Sequence, residues 1–165
     1  MKQSRFGYEV GLEFVRQLID EGKVYTFSFR NASGSTALVY RIKTGANKAS
    51  LTLYVSSSAK TTIDLIEAPT VTTAGTASKL YNLNRNFGDD DIATKLFTGA
   101  VITGGTGTTF KVNQSGYGTS PGLASSSDAA PGSGYQLKPN TDYVFVFTPS
   151  TAEVTVIGEL FEIGK

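Results

Sequence analysis

Histidine, cysteine and tryptophan are all missing from this 165-residue chain, and methionine occurs once. Without histidine there is no Ser-His-Asp triad, no Cys-His pair and no imidazole ligand for a metal. Without cysteine there is no thiolate chemistry, no zinc knuckle and no disulfide framework, which leaves the redox compartment open. Charge is scarce as well: 18% of residues are charged and the formal net charge is +1. Nothing in that balance forms the basic stripe or arm that a nucleic-acid binder needs. No run of about 18 apolar residues is present to cross a bilayer, and Met1-Lys2-Gln3-Ser4-Arg5 lacks the apolar stretch of a signal peptide. The expectation is a soluble protein made in the cytosol, with neither nucleic acid nor membrane as a partner.

What the chain does have is hydroxyl and glycine. Threonine, serine and glycine together make up 55 of its 165 residues. β-Branched threonine suits a pleated surface, while glycine and serine serve turns, so the composition favours strands over helices. The length fits one domain, large enough to bury a core without disulfides or metals as staples. From Lys23 onward the period is two. Val24, Thr26 and Ser28 alternate with Tyr25, Phe27 and Phe29, which puts three aromatics on one face that must be buried. A second strand is expected over Ala37 to Lys43. Further candidates are Ser50 to Val55, Thr62 to Glu67, Ala93 to Phe97, Thr109 to Val112, Tyr135 to Leu137, Tyr143 to Thr148 and Glu153 to Ile163. Nine or so short strands with regular turn signals predict an all-β, antiparallel sandwich, jelly roll or barrel over residues 23–165.

Two segments stand apart from this pattern. In residues 1–22, Leu12, Val15, Leu18 and Ile19 have helical spacing, but Leu12, Phe14 and Arg16 also alternate, so a short helix and an extended arm are both allowed. Either would serve as a flap over the core or as an arm that docks on a partner. Residues 115–134 are rich in Gly, Ser, Ala and Pro with little to bury, and read as a flexible surface loop or one ordered by a neighbouring subunit. There is also an internal echo. Leu65 to Thr76 reads LIEAPTVTTAGT and Leu96 to Thr108 reads LFTGAVITGGTGT, with the Val-Thr and Ile-Thr pairs 31 residues apart. The echo predicts two related strand-turn units at equivalent places in a pseudo-symmetric β fold.

Motifs that carry chemistry are weak. Asp64, Glu67, Asp142 and Glu153 are the carboxylates available for a glycosidase pair, but they are scattered through strand patterns without a spacing that selects two of them. Gly104 to Thr109 superficially resembles a phosphate cradle, yet it lacks the Gly-Lys-Ser/Thr ending and the following helix, and reads as a tight turn. Asp89-Asp90-Asp91 offers hard oxygen ligands for a cation such as Ca²⁺, but without alternating spacing it reads first as a solvated acidic turn. No catalytic, cofactor-binding or metal residue is assigned, and no cofactor is expected. The most distinctive segment is Tyr81-Asn82-Leu83-Asn84-Arg85-Asn86. Asparagine gives donors and acceptors to an irregular backbone, and the Arg85 fork can bind a carboxylate. A structural latch of Glu67, Asn82, Asn84, Arg85 and Asn86 is expected, with Glu67 as the ionic partner of Arg85.

The order Gly22-Lys23-Val24-Tyr25-Thr26-Phe27-Ser28, Thr62 to Thr70, Ala74-Gly75-Thr76, Tyr81 to Asn86 and Leu137 to Tyr143 resembles the head decoration or cement proteins of tailed bacteriophages. The resemblance spans roughly residues 22–163, and its sharpest element couples Glu67-Ala68-Pro69-Thr70 to Asn82 to Asn86. It departs from that family at Asp89-Asp90-Asp91, where Ser or Thr is expected, and at Glu159 to Ile163, where a Trp is expected. What the resemblance implies is a jelly-roll-like sandwich, often a trimer. Such a protein sits on the capsid surface of the virion, binds the major capsid protein and performs no chemistry. A second reading is a tail- or fibre-associated module that binds host-surface carbohydrate, with Tyr81, Tyr117 and Tyr135 as the rings on which sugars would stack.

Overall fold

Alternating apolar and hydroxylated side chains build strands whose two faces differ, and such strands are stable only when their apolar faces meet. The computed structural model describes residues 13–31, 37–57, 61–89, 91–115, 125–126, 134–149 and 153–163. Among the described residues one helix, α1, covers 13–20, so the helical alternative holds there, and Leu12 lies outside the described residues. The strands are β1 (Val24–Asn31), β2 (Leu38–Lys43), β3 (Lys48–Ser57), β4 (Thr61–Glu67), β5 (Val71–Thr73), β6 (Thr76–Ser78) and β7 (Tyr81–Asn82). They continue as β8 (Lys95–Thr98), β9 (Val101–Ile102), β10 (Thr108–Ser115), β11 (Ser125–Ser126), β12 (Tyr135–Leu137), β13 (Asp142–Pro149) and β14 (Val154–Ile163). Of the 115–134 segment, only Ser115, β11 and Gly134 are among the described residues.

Two antiparallel sheets form the sandwich. The first has the order β11-β3-β14-β1-β7, with β12 also on β3, and the second has the order β10-β4-β13-β2-β8-β6. Leaving aside the small strands β5 to β9 and β11, the sheets have the orders β12-β3-β14-β1 and β10-β4-β13-β2, and the chain crosses from one to the other at every step except β4 to β10, which are neighbours in the second. This is the eight-stranded jelly roll. Residues 68–107 are an insertion between β4 and β10 that adds β8 and β6 to the far edge of the second sheet and β7 to the edge of the first.

The core lies between the sheets. Tyr25, Phe27, Leu51, Val154, Val156 and Leu160 from the first sheet meet Tyr40, Ile42, Leu65, Tyr143, Phe145 and Phe147 from the second. Burying each such side chain contributes about 1.5–3 kcal/mol. An aromatic row runs through it: Phe27 touches Phe29, Phe29 stacks on Tyr40 at 3.9 Å, and Tyr40 meets Phe147 edge-on at 5.8 Å. Burial pushes the Tyr40 phenol up to about 12.

Three buried strand residues, Val144, Arg41 and Val24, point the other way. Val144 is fully buried although it alternates with core residues Tyr143 and Phe145, and Arg41, its register partner, is buried beside it. Arg41 donates to Asp142 Oδ1 at 2.8 Å, reaches Ala74 O and lies 4.8 Å from the Phe97 ring centre, so the insertion covers this outer face. On the first sheet, Val24 shares a face with exposed Ser28 yet is buried, as is Leu18 of α1, and neither belongs to the main core. Helix α1 therefore caps the outer face at that end.

The internal echo has a structural counterpart. Exchanging β1 with β12, β2 with β13, β3 with β14, β4 with β8, β5 with β9 and β6 with β10 leaves the shared strand orders unchanged. The register follows the same exchange. Glu67 pairs with Tyr143 and Thr108, while Thr98 pairs with Tyr40 and Thr76. The bends after β4 and β8 also match: Ala68 N–H donates to Asp142 O at 2.8 Å and Gly99 N–H to Val39 O at 2.9 Å, both with positive φ. Val71 and Ile102, the heart of the echoed motif, pair with each other.

Candidate functional site

One edge of the first sheet concentrates polar side chains that are held in place. Strand β7 pairs with the start of β1, Asn82 opposite Tyr25, and the chain then turns through 83–89. Asn82 is buried: its Nδ2 donates to Gly22 O at 2.8 Å and its Oδ1 accepts the Asn84 N–H at 2.9 Å. Asn84 reaches Asp20 O at the end of α1 and accepts both the backbone and side-chain N–H of Asn86. Arg85 Nη1 donates to Asn82 O at 3.2 Å and to Asp89 Oδ1 at 2.7 Å.

Of the five residues expected to form a latch, the structure brings Asn82, Asn84, Arg85 and Asn86 together, while Glu67 lies apart from them. Glu67 lies at the end of β4, where it accepts from Lys138 Nζ at 2.6 Å and from the Tyr143 hydroxyl at 3.0 Å. Those bonds, that of Lys138 foremost, hold its carboxyl below the usual range. The expectation failed because the excursion after Glu67 carries the chain away to the other sheet before Arg85. The acid that closes the latch is Asp89, four residues from Arg85 and signalled by that short spacing.

Asp89 accepts the Asn82 backbone N–H at 2.9 Å and pairs with Arg85 and Lys79. These bonds, the backbone one foremost, bring its carboxyl down to about 2. A carboxylate depressed on folding contributes stability above its unfolded pKa of about 4 and loses it as pH falls toward the folded value. Acidification from pH 5 to 2 is therefore expected to lower the melting temperature and to lower the protection of the Asn82 amide against exchange, relative to its intrinsic rate at each pH. Asp89→Asn should flatten both responses, and an unchanged acid profile would remove Asp89 from the latch.

Beside the latch is a cleft of about 240 Å³ lined by Glu21, Lys23, Tyr25, Asn47, Phe87, Asp91 and Glu162. Glu162 occupies an inward position of β14 and is only 7% exposed. Its Oε2 accepts the Ala93 N–H at 2.9 Å, while its Oε1 is buried without a hydrogen-bond partner. Tyr25 is raised above an ordinary phenol, first by burial and then by the charges of Asp91, Glu162 and Asp89, against a hydrogen bond with Asn82. Exposed Phe87 lines the cleft with its ring packed on Gly22, and Tyr81 and Leu83, earlier in the same segment, are exposed as well. Glu162 escaped the sequence reading, although a charged residue at an inward position of an alternating run was the signal.

Comparison of the chain with protein-family models, with curated proteins and with solved structures returns no match. Function is therefore argued from these residues.

The remaining candidates are dispersed. Asp142 is bound to Arg41, Glu153 to Arg30, and Asp64 sits on β4, facing away from the core residue Leu65. Of the three tyrosines considered for sugar stacking, Tyr81 is exposed with Lys79 Nζ 5.6 Å from its ring centre, Tyr135 is half-buried on β12, and Tyr117 lies outside the described residues. Asp90 is also outside them. Among the described residues no group of three or more acidic side chains is placed to hold a metal ion.

Proposed function

We propose that this chain is a non-enzymatic structural protein of a tailed-phage particle, one that binds the outside of the head as a trimer and stabilises the shell through the major capsid protein. The observation that carries this reading is the end of the jelly roll where Tyr81, Leu83 and Phe87 are exposed on a backbone pinned by the Asn82–Asp89 latch. Exposed aromatic and aliphatic groups next to polar ones have the composition of a protein contact. Holding them rigid lowers the entropy cost of docking. The motifs in 22–163 that resemble decoration proteins support the same assignment.

A cement protein works by addition, each copy burying a modest area across a joint between shell subunits while symmetry repeats the contribution. Purified chain is expected to co-sediment saturably with empty heads and to raise the temperature at which those heads come apart. Absence of binding, or specific capture by a sugar on a glycan array, would replace this reading with the carbohydrate-binding one.

A further inference from the structure

We infer that the cleft at Glu162 is a socket for an arginine side chain of the protein on which this chain docks. The inference deepens the head-binding reading and rests on it for the identity of the partner. Three carboxylates, Glu21, Asp91 and Glu162, line the cleft against one ammonium, Lys23, which is already paired with Glu21. The cleft is therefore acidic.

Glu162 supplies the independent observation. One of its oxygens is satisfied by a backbone N–H, while the other is buried without a donor. An unpaired buried carboxylate oxygen is costly, and a cation brought in from outside recovers that cost. A volume of about 240 Å³ admits a long side chain, and the Phe87 and Tyr25 rings offer flat walls to its tip. Guanidinium fits such a site better than ammonium does. It is planar, weakly hydrated, stacks on aromatic faces and can divide its donors between Glu162 and Asp91. A divalent ion fits poorly, because it needs six or more oxygen ligands and the described acidic groups do not converge on one point. Exposed Phe87, which lines the cleft, gives its mouth an apolar edge, and an apolar edge beside an arginine pocket points to a protein segment as the source, since interface anchors are built that way.

The test is a titration of the full-length chain with N-acetyl-arginine amide, read by amide chemical shifts. Saturable shifts are expected at Gly22, Asn47, Ala93 and Thr94. Glu162→Gln keeps an oxygen for the Ala93 N–H, and should weaken binding by about tenfold or more. Asp91→Asn, in the connection to β8, should weaken it less, and Lys23→Ala should leave it as tight or tighter. N-acetyl-norleucine amide should shift nothing. The inference is overturned if arginine amide gives no saturable shifts there, if both charge-removing variants bind like the parent, or if Ca²⁺ gives the same shifts at lower concentration. This titration uses the isolated chain, so its failure would leave head binding standing, and failed co-sedimentation would leave the socket standing.

Discussion

Phe147→Ala is expected to destabilise the fold by about 3–5 kcal/mol, the usual cost of emptying an aromatic site in a packed core. Phe147 is 1% exposed and lies opposite Leu38 and Ile63 in the middle of the second sheet. Its ring meets Tyr40 edge-on, and Tyr40 in turn stacks on Phe29 of the other sheet. Removing it opens a void where the two layers join, and the strands around it are fixed by long ladders that cannot close the gap. For a chain of this size that loss lowers the melting temperature by roughly 10 °C. Phe14→Ala, at an exposed site on α1, is the control and should change stability by less than about 0.5 kcal/mol. Thermal denaturation of the two variants measures the difference.

Gly75→Val and Gly107→Val are expected to be about equally damaging, each by about 3 kcal/mol. The two glycines have φ of 84° and 78°, a region that side chains rarely adopt. Their surroundings also correspond under the strand exchange. A Cβ on Gly75 would meet Thr98 O at 2.5 Å and the backbone of Ala100, and one on Gly107 would meet Glu67 O at 2.6 Å and Pro69. Gly104 has open space around it, and Gly104→Ala should be nearly neutral. If one of the first two substitutions were tolerated and the other not, the two halves would not bear equivalent loads.

Much of this was legible in the sequence, for a physical reason. Long strands carry enough alternation to declare themselves, so β1, β2, β3, β4, β10, β13 and β14 were expected within a few residues of where they lie, and Tyr135–Leu137 coincides with β12. Tyr25 and Phe27 are buried as their spacing demands, and Phe29 partly so. The strands β5, β6, β7, β9 and β11 were not foreseen, because two or three residues cannot show a period. Their pairing is set by distant partners. The echo between Leu65 and Thr108 was visible because its glycines and Thr pairs answer the same bends twice.

The site was only half legible. The bonds among Asn82, Asn84, Arg85 and Asn86 span two or three residues, and such local chemistry can be read from sequence, whereas the bonds of Asn82 to Gly22 O and of Asn84 to Asp20 O cross the fold. The assignment of Glu67 to Arg85 needed the path of the insertion, which the sequence does not give. The Glu162 cleft joins the turn after α1, the start of β1, the loop after β2, the latch and β14, residues separated by up to 141 positions from Glu21 to Glu162. Only the folded chain brings them together.

The most direct measurement is a cryo-EM map of the intact particle into which the jelly roll is placed. The account predicts copies on the outer head surface at joints between capsid subunits, with the Phe87 and Glu162 end turned toward the shell. Density for this chain at the tail or fibre tip, or on the head with that end facing solvent, would contradict it.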